Sequence, residues 1–452
     1  MRFLLSHAVW VVLCTGFAAC LPRAAVPERA SPWLLRFGDG PHAQTAALVA
    51  EAQDLFATGD FQGGLVLGGQ RLEPAGDSDT FLVHLGPGGD VRWLRRFGGA
   101  GGDSADALAL GPGGSLFVVG RYTGPAAFGD TRLEGRGCFV AKVAREDGRV
   151  LWARGFGGQG HAQCRSVAVD AAGDALVAGL FQGTLAVGTE AWTSAGESDL
   201  FLAKLSGDDG APRWARRFGG AGDDVARDVV VTPSGAVLLA GYFSAAVEGA
   251  AGAVDFGAGT LVSRGDADAF LARFDGEGRC QWARALGGPT FDMVKSVVVG
   301  GDGGLSLAGL FQRADVKREP GQVLFTAGGF EGFLARYSED GQELWTHRYP
   351  AMRSGHALAG PVAGDVVLVG HFEGTLELDA TWKLTSADAK SDAVAVVYDA
   401  SGTVRRAERW GGAGPDYGYA VAATGTDLFV GGMLTGPRAF IARLPTGPSA
   451  PP

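Results

Sequence analysis

Aspartates that follow glycine-rich turns are the residues whose spacing first suggests metal chemistry in this chain. The clearest copy, GGAGDD at 219–224, resembles one period of the calcium-binding nonapeptide G-G-x-G-x-D. Calcium-binding rolls stack that repeat every nine residues so that neighbouring turns share an ion, whereas these copies lie about 60 residues apart. We therefore predict turn-capping carboxylates, with isolated metal ligands as the alternative. The equivalent residues are Asp103, Asp224, Asp292 and Asp416.

Histidines offer a second candidate site. His42 and His161 occupy the same place after a strand-closing aromatic, and Asp223 holds that place in another copy. This set would suit a weak metal or acid–base site. No GxSxG, SxxK or P-loop pattern accompanies it, and no two histidines have HxxxH spacing. We therefore predict a protein without catalytic residues or a cofactor, and a hydrolase or lyase is the weaker alternative.

These candidates recur because the whole chain repeats. An aromatic residue or leucine closes a short predicted strand about every 60 residues, and a glycine-rich turn follows it. Such a period is too long for small solenoid repeats and suits the blade of a propeller. The closing residues are Phe37, Phe97, Phe156, Phe218, Leu286, Tyr349 and Trp410.

Each repeat reads as four antiparallel strands. The best copy contains ARDVVV, AVLLAGYF, DAFLARF and WARAL, separated by turns such as TPSG and DGEG. The chain begins with the fourth type of strand, in SPWLLRF at 31–37, and ends with the third type at 438–443. We predict an all-β, seven-bladed β-propeller of four-stranded blades over 32–445, whose last blade is completed by the N-terminal strand.

Two aromatic sets recur at fixed places in the repeat. A buried indole removes a large apolar area from water, so we predict that the tryptophans join neighbouring blades rather than form a ligand cage. The first set is Trp33, Trp93, Trp152, Trp214, Trp282 and Trp345, with Arg406 in the remaining copy. The second set, in the third strand, is Phe81, Phe139, Phe201, Phe270, Phe333 and Phe440, with Val394 as the exception.

The repeat resembles the SBBP repeat, named for bacterial seven-bladed β-propellers. The resemblance spans about residues 32–445 and lies in FGG-x-G-x-D, an A-G-x-F strand end and D-A-F-L-A-R. It departs from that family at the turn between the first two strands, where Asn is expected and this chain has Asp174, Ala236 or Ser115. The resemblance implies the propeller fold and an envelope or extracellular setting, and it implies no catalytic residues.

The N-terminal segment has the features of an export signal. Arg2 precedes an apolar run that is too short for a comfortable membrane span, which predicts a signal peptide over 1–19. The sequence FAAC at 17–20 resembles a bacterial lipobox, so we predict lipidation at Cys20, with ordinary cleavage near Ala19 as the alternative. Residues 20–31 would form a tether and 446–452 a disordered tail. The predicted location is the cell envelope, as an outer membrane lipoprotein or else as a periplasmic or extracellular protein.

Net charge and cysteine content limit the partners and the disulfide pairings that are possible for this chain. The formal net charge is −10 and no basic stripe is present, which argues against nucleic acid as a partner. Beyond the signal region only Cys138, Cys164 and Cys280 remain. A bridge between Cys138 and Cys164 and three buried thiols are both compatible with this spacing.

Loop position predicts where a ligand would bind. In a propeller the fourth-to-first and second-to-third connections emerge on one face, and here the second-to-third connections vary in length. Trp192 and Trp382 lie in them and could stack on a sugar or peptide, or pack beneath their own loops. We expect a monomer that contacts the membrane only through its lipid and binds a protein, peptide or glycan at the cell surface.

Overall fold

The computed structural model describes residues 32–247, 251–319, 322–360, 365–425, 427–436 and 438–445, with backbone but not side chains over 313–319 and 322–328. The predicted signal peptide, the lipidation site Cys20, the tether and the C-terminal tail lie outside these residues. Within the described part of the chain, no helix is long and apolar enough to cross a membrane.

Seven antiparallel sheets with four core strands each form the blades, and the strands pair in the order first, second, third, fourth. The first strands are His42–Glu51, Ser104–Gly111, Gly160–Val169, Asp224–Val231, Asp292–Val299, Met352–Ala359 and Tyr417–Ala423. The second strands are Asp54–Gln62, Ser115–Tyr122, Ala175–Val187, Val237–Ser244, Leu305–Glu319, Val366–Phe372 and Asp427–Leu434. The third strands are Asp79–Leu85, Gly137–Ala144, Asp199–Leu205, Ala267–Phe274, Gln322–Tyr337, Asp392–Tyr398 and Arg438–Pro445. The fourth strands of blades 1–6 are Val91–Gly99, Val150–Phe156, Pro212–Phe218, Cys280–Leu286, Glu343–Tyr349 and Val404–Trp410.

The N-terminal strand closes the ring. Trp33–Phe37 is the fourth strand of blade 7 and pairs with its third strand, from Trp33 opposite Arg443 to Phe37 opposite Ala439. The predicted sevenfold propeller and its mode of closure are therefore confirmed. Pairing the two ends of the chain hides both sheet edges that an open arc would leave exposed.

The fourth-strand tryptophans join neighbouring blades. Trp93 Nε1 in blade 1 donates to the carbonyl oxygen of Arg145 in blade 2 at 2.9 Å. Gly148 in the same turn has a φ of +74°, and a Cβ at that position would lie 2.8 Å from the indole. The turn thus needs glycine both for its left-handed backbone and for its close approach to the ring. The same donation links Trp33 to Pro87, Trp152 to Gly207 and Trp214 to Gly276.

The exception at Arg406 has a structural reason. In blade 7 the third and fourth strands come from opposite ends of the chain, so they are not joined by the turn that receives the indole in other blades. The guanidinium of Arg406 reaches across instead and donates to the carbonyl oxygen of Pro445 at 2.8 Å. The longer side chain therefore makes the inter-blade hydrogen bond where the ring is closed.

The second-to-third connections are more regular than the sequence analysis supposed. In five of the first six blades this connection contains a short β-hairpin, and in blade 5 the two long strands themselves form one. The separate hairpins pair Leu65–Leu67 with Gln70–Leu72, Ala126–Phe128 with Thr131–Leu133, the end of Ala175–Val187 with Glu190–Thr193, Ala253–Asp255 with Thr260–Val262, and Thr375–Glu377 with Lys383–Thr385.

These hairpins cover the seams between blades. Phe128 in the blade 2 hairpin stacks on Phe97, which closes the fourth strand of blade 1, with ring centroids 5.7 Å apart. Phe256 beside the blade 4 hairpin contacts Phe218 of blade 3 in a tilted arrangement, with ring centroids 5.1 Å apart. At these two seams the strand-closing aromatic is thus covered by the hairpin segment of the following blade.

A disulfide also crosses a seam. Cys138 in the third strand of blade 2 is bonded to Cys164 in the first strand of blade 3, with Cα atoms 5.2 Å apart. Cys280 is a free thiol. Of the two alternatives that the sequence left open, the structure therefore contains the bridge.

Buried carboxylates cap the turns between blades. Asp103 Oδ2 accepts the backbone N–H of Gly99, and Asp224 Oδ2 accepts that of Gly220, each at 2.7 Å. Asp224 lies beside Asp199, the acidic residue at the start of the preceding third strand. Burial, with a smaller contribution from the Asp199 charge, raises the pKa of Asp224 to about 7.

We predict that replacing Phe37 by Ala destabilises the ring. Phe37 is 2% exposed, so its loss leaves a cavity at the point of closure and should cost about 3–5 kcal/mol of unfolding free energy. Leu34→Ala is the control, because Leu34 lies on the same strand and is 40% exposed. Thermal unfolding should show a clear loss of Tm for Phe37→Ala alone; equal Tm values for the two variants would contradict this role.

We predict that stability falls as pH rises towards 7. The folded-state pKa of Asp224 lies above its unfolded value, so its contribution is complete below about pH 4 and is lost as the carboxyl ionises near pH 7. Asp224→Asn imitates the protonated form and should flatten the fall of Tm between pH 5 and 8. Glu134→Gln, an exposed charge change, should leave that fall intact. A wild-type Tm that rises over this range would refute the sign.

Candidate functional site

A ring of side chains from β-bulges in the first strands surrounds the propeller axis. Every first strand contains a register shift that leaves a residue unpaired, and β-bulges of this kind turn a side chain out of the regular alternation. The first strand of blade 6 has a second shift, at Arg353. The seven first strands together line an axial cavity of about 350 Å³, to which Ala46 and Tyr419 contribute from the bulge positions. The bulge residues, one from each blade in chain order, are Ala46, Asp106, Arg165, Arg227, Lys295, His356 and Tyr419.

A polar cavity, called the mouth below, lies beside blades 1–3 and is lined by the bulge residues Asp106 and Arg165. This cavity has a volume of about 520 Å³ and is lined largely by polar side chains. His42 Nε2 lies 3.0 Å from Asp60 Oδ2, and Gln44 Nε2 donates to Asp60 Oδ1 at 2.8 Å. The hydrogen bond that His42 donates to the Asp60 carboxylate raises the pKa of His42. The mouth therefore presents a histidine–carboxylate pair to solvent.

An acidic group lies deeper on the same side. Gln163 Nε2 lies 2.9 Å from both carboxylate oxygens of Asp106, and Arg165 lies 4.0 Å from one of them. Burial raises the pKa of Asp106 to about 6, and the Arg165 charge partly opposes that shift. This carboxylate is already held by side chains of blade 3.

The opposite side of the channel carries a chain of nitrogen bases. Lys295 Nζ lies 3.3 Å from His356 Nδ1, and His356 Nε2 lies 3.1 Å from His371 Nδ1. The rings of Tyr419 and Tyr417 meet these two histidines edge-on at 5.1 and 4.9 Å. Burial lowers the pKa of His371 to about 4 and holds that of His356 well below its usual value, so both imidazoles are neutral at pH 7.

Two cations in the channel are shifted as well. Burial, with contributions from the Arg227 and Arg165 charges, lowers the pKa of Lys295 to about 7. Burial and the Arg165 charge lower the pKa of Arg227 to about 10. Shifts of this size arise when cations are withdrawn from water and face other cations. The channel thus has an acidic side at blades 1 and 2 and a cationic side at blades 3–5.

The structure separates the three residues that the sequence grouped at one repeat position. His42 lies in the channel mouth, whereas His161 lines a different cavity of about 310 Å³. Asp223 lies in a third cavity, where Ser198 and Tyr242 donate to it. Arg121 lines both histidine cavities and lies between them. The sequence position is shared, but the three side chains do not form one site.

The two loop tryptophans pack into their own blades. Trp382 is 6% exposed and belongs to the apolar cluster of blade 6, so its ring is not offered to solvent. Trp192 is half-buried, and its ring centroid lies 6.4 Å from that of Phe181. Both positions fit the alternative given above, in which these rings support their hairpins.

The four metal candidates cap turns at different blade boundaries. Gly288 N donates to Asp292 Oδ2 at 2.5 Å and Gly412 N to Asp416 Oδ2 at 3.0 Å, as at Asp103 and Asp224. Among the described residues, no group of three or more His, Cys, Asp and Glu side chains is placed to hold a metal ion.

Sequence reasoning missed the channel residues. Arg165, Arg227 and Lys295 each stand immediately before the β-branched end of a first strand, in C-R-S-V, A-R-D-V and V-K-S-V. A polar residue at that one place, inside an otherwise apolar strand, was the available signal. The strand pattern alone does not reveal a bulge, so it could not show that these side chains face the axis.

A second surface opens at the seam between blades 4 and 5. Here the two long strands of blade 5 run outward as one hairpin, and Leu286 takes the place of the usual aromatic. The resulting groove has a volume of about 900 Å³ and includes Phe311, over whose ring Arg348 lies at 4.6 Å. Its mixed apolar and charged lining makes it a second candidate surface for a partner.

Comparison with known proteins identifies no family for this chain. No family model matches the chain, and no curated protein matches it, so the resemblance to the SBBP repeat stays a prediction. Solved structures that resemble it include the WD40 domain of Neurospora crassa Pan2, with 9% identity, 90% of this chain and 91% of that chain covered, and a TM-score of 0.47. Another is a chain of a mitotic checkpoint complex, with 9% identity, coverage of 93% and 97%, and a TM-score of 0.48. The propeller assignment therefore depends on the strand pairing of this chain itself.

Proposed function

We propose that the protein is a non-enzymatic binding module of the bacterial cell envelope, exported and anchored by a lipid on Cys20. The observation that carries the binding role is the ring of bulge residues. Asp106 and Arg165 of this ring line the polar mouth, and Lys295, His356 and Tyr419 contact one another across three blades. Blade 1 has Ala46 at this place, so the blade can form without a polar group there. Polar groups in the other six copies are therefore best explained by a ligand.

The mouth is the surface that we propose for ligand contact. It is open, polar and lined by side chains from three blades, which suits a peptide end or a sugar rather than a large apolar partner. A carbohydrate- or peptide-binding surface protein is therefore our more specific alternative. A hydrolase or lyase receives no support from a particular arrangement of acid, base and nucleophile among the described residues.

Export has independent support. The Cys138–Cys164 bridge joins two blades, and structural disulfides persist mainly in oxidising compartments such as the periplasm or the cell surface. The apolar N-terminal segment and the FAAC sequence at 17–20 agree with that setting. The anchor and the disulfide together favour an envelope protein.

We predict that binding to peptide or glycan arrays depends on Asp60. Asp60→Ala removes the partner of His42 in the mouth and should weaken any array signal at least tenfold. Asp54→Ala is the matched control, because Asp54 pairs with His84 at 2.9 Å at the opposite end of the same strand. Equal binding by the two variants would place the ligand elsewhere and overturn the proposed surface.

We predict that the full-length protein incorporates labelled palmitate in a bacterial host. Cys20→Ser should lose the label and release the protein from the membrane fraction, because the thiol that would carry the lipid is gone. Cys14→Ser should keep the label, since that cysteine lies inside the predicted signal peptide. Label retained in Cys20→Ser would show that the anchor assignment is wrong.

A further inference from the structure

Three cations from consecutive blades converge on the axial channel. Arg165, Arg227 and Lys295 occupy the bulge position of blades 3, 4 and 5, and the charges of Arg227 and Arg165 both help to lower the pKa of Lys295. Seven side chains at one height around a narrow axis bring such neighbours together without any contact along the chain.

Among the described residues, Arg227 and Lys295 form no ion pair within 4.0 Å, although the charges of Asp106 and Asp223 raise the pKa of Arg227. The buried Nε atoms of Arg165 and Arg227 have no hydrogen-bond partner among the described residues. Arg165 has a single long contact at 4.0 Å with Asp106, which Gln163 already holds. Lys295 lies against His356, which is neutral and brings no negative charge.

The nearest carboxylate in sequence is committed elsewhere. Asp228 follows Arg227, but its Oδ1 accepts from Ser166 Oγ at 2.8 Å, and its Oδ2 accepts from Ser296 Oγ at 3.1 Å and Val297 N at 2.8 Å. Asp228 thus ties blades 3, 4 and 5 together at the inner strands. Asp228 therefore stabilises the contacts between blades and does not neutralise the guanidinium of Arg227.

An arrangement of this kind is costly without a ligand. Cations that are withdrawn from water and left unpaired destabilise the folded state, and neighbouring like charges increase this destabilisation. The blade does not need them, as Ala46 shows at the same place. An anion from outside the chain would supply the missing charge and the missing hydrogen-bond acceptors.

We propose that the axial channel binds the oxyanion group of a small ligand, a carboxylate or a phosphate, with Arg227 at the centre and Arg165 and Lys295 on either side. Arginine donors suit both planar carboxylates and tetrahedral phosphates, and a lysine provides a point charge. The ligand enters through the mouth, and its remaining polar part lies near His42 and Asp60.

The size and charge of the site argue for a small ligand. The mouth, which Arg165 lines, has a volume of about 520 Å³ and holds a small organic anion, not a folded partner. The formal net charge of −10 repels polyanions from the exterior, while a single oxyanion in the channel meets local positive charge. This inference rests on the proposed function, because both place the ligand in the channel.

The test measures Tm and calorimetric binding with sodium phosphate or sodium acetate, against sodium chloride at the same ionic strength. A ligand that binds only the folded state raises the Tm, so one of the two anions should do so in the wild type. Arg227→Gln should abolish that rise, and its Tm in chloride should be unchanged or higher, because an unpaired buried cation is gone. Arg132→Gln, an exposed charge change, should behave like the wild type.

The outcomes are distinct. Response to phosphate alone or to acetate alone identifies the oxyanion. If the wild type has the same Tm in all three salts, the inference is overturned. It is also overturned if the Arg227→Gln variant keeps the anion response, or if this variant has a lower Tm in chloride than Arg132→Gln. If array ligands bind in an Asp60-dependent way while neither anion has an effect, the oxyanion assignment fails and the proposed binding surface stands. If the anion raises the Tm but array binding does not depend on Asp60, the oxyanion site in the channel is supported. The mouth is then rejected as the surface that contacts the ligand.

Discussion

The contact between a fourth-strand tryptophan and the glycine turn of the next blade is the interaction on which the ring depends. It combines a buried indole, a hydrogen bond to a turn carbonyl and a left-handed glycine that lets the two surfaces meet. A blade cannot bury its faces alone, so each needs this contact on both sides. Where the chain ends interrupt the pattern, Arg406 makes the hydrogen bond in place of an indole.

The hairpins and carboxylates extend the same constraint to the other end of the blades. Phe128 and Phe256 cover the aromatics that close the preceding blades, while Asp103 and Asp224 cap the turns beneath them. Much of the loop face is therefore structural. The second-to-third connections, which vary in length in the sequence, mainly pack against neighbouring blades. The channel residues are therefore our main candidates for ligand binding.

The β-bulges in the first strands place these candidate residues around the axis. A regular strand would alternate its side chains between the two neighbouring blades, whereas the unpaired residue of a bulge is turned towards the axis. The sevenfold ring then collects one such residue from each blade. Asp106 on one side and Arg227 and Lys295 on the other give the channel a polarity that no single blade possesses. Because these groups are withdrawn from water, their charges act strongly on one another.

The sequence by itself determined the blade count, the strand order, the closing strand and the role of the tryptophans, since each follows from residue types at a fixed period. It also indicated the capping role of Asp224 and its equivalents. It could not place His42, His161 and Asp223 in separate cavities, recognise the hairpins or reveal the channel ring. Those features depend on side-chain direction and on contacts between blades remote in the chain. Only the tertiary structure decided them, because a one-residue bulge leaves the apolar pattern almost unchanged while it redirects a side chain to the axis.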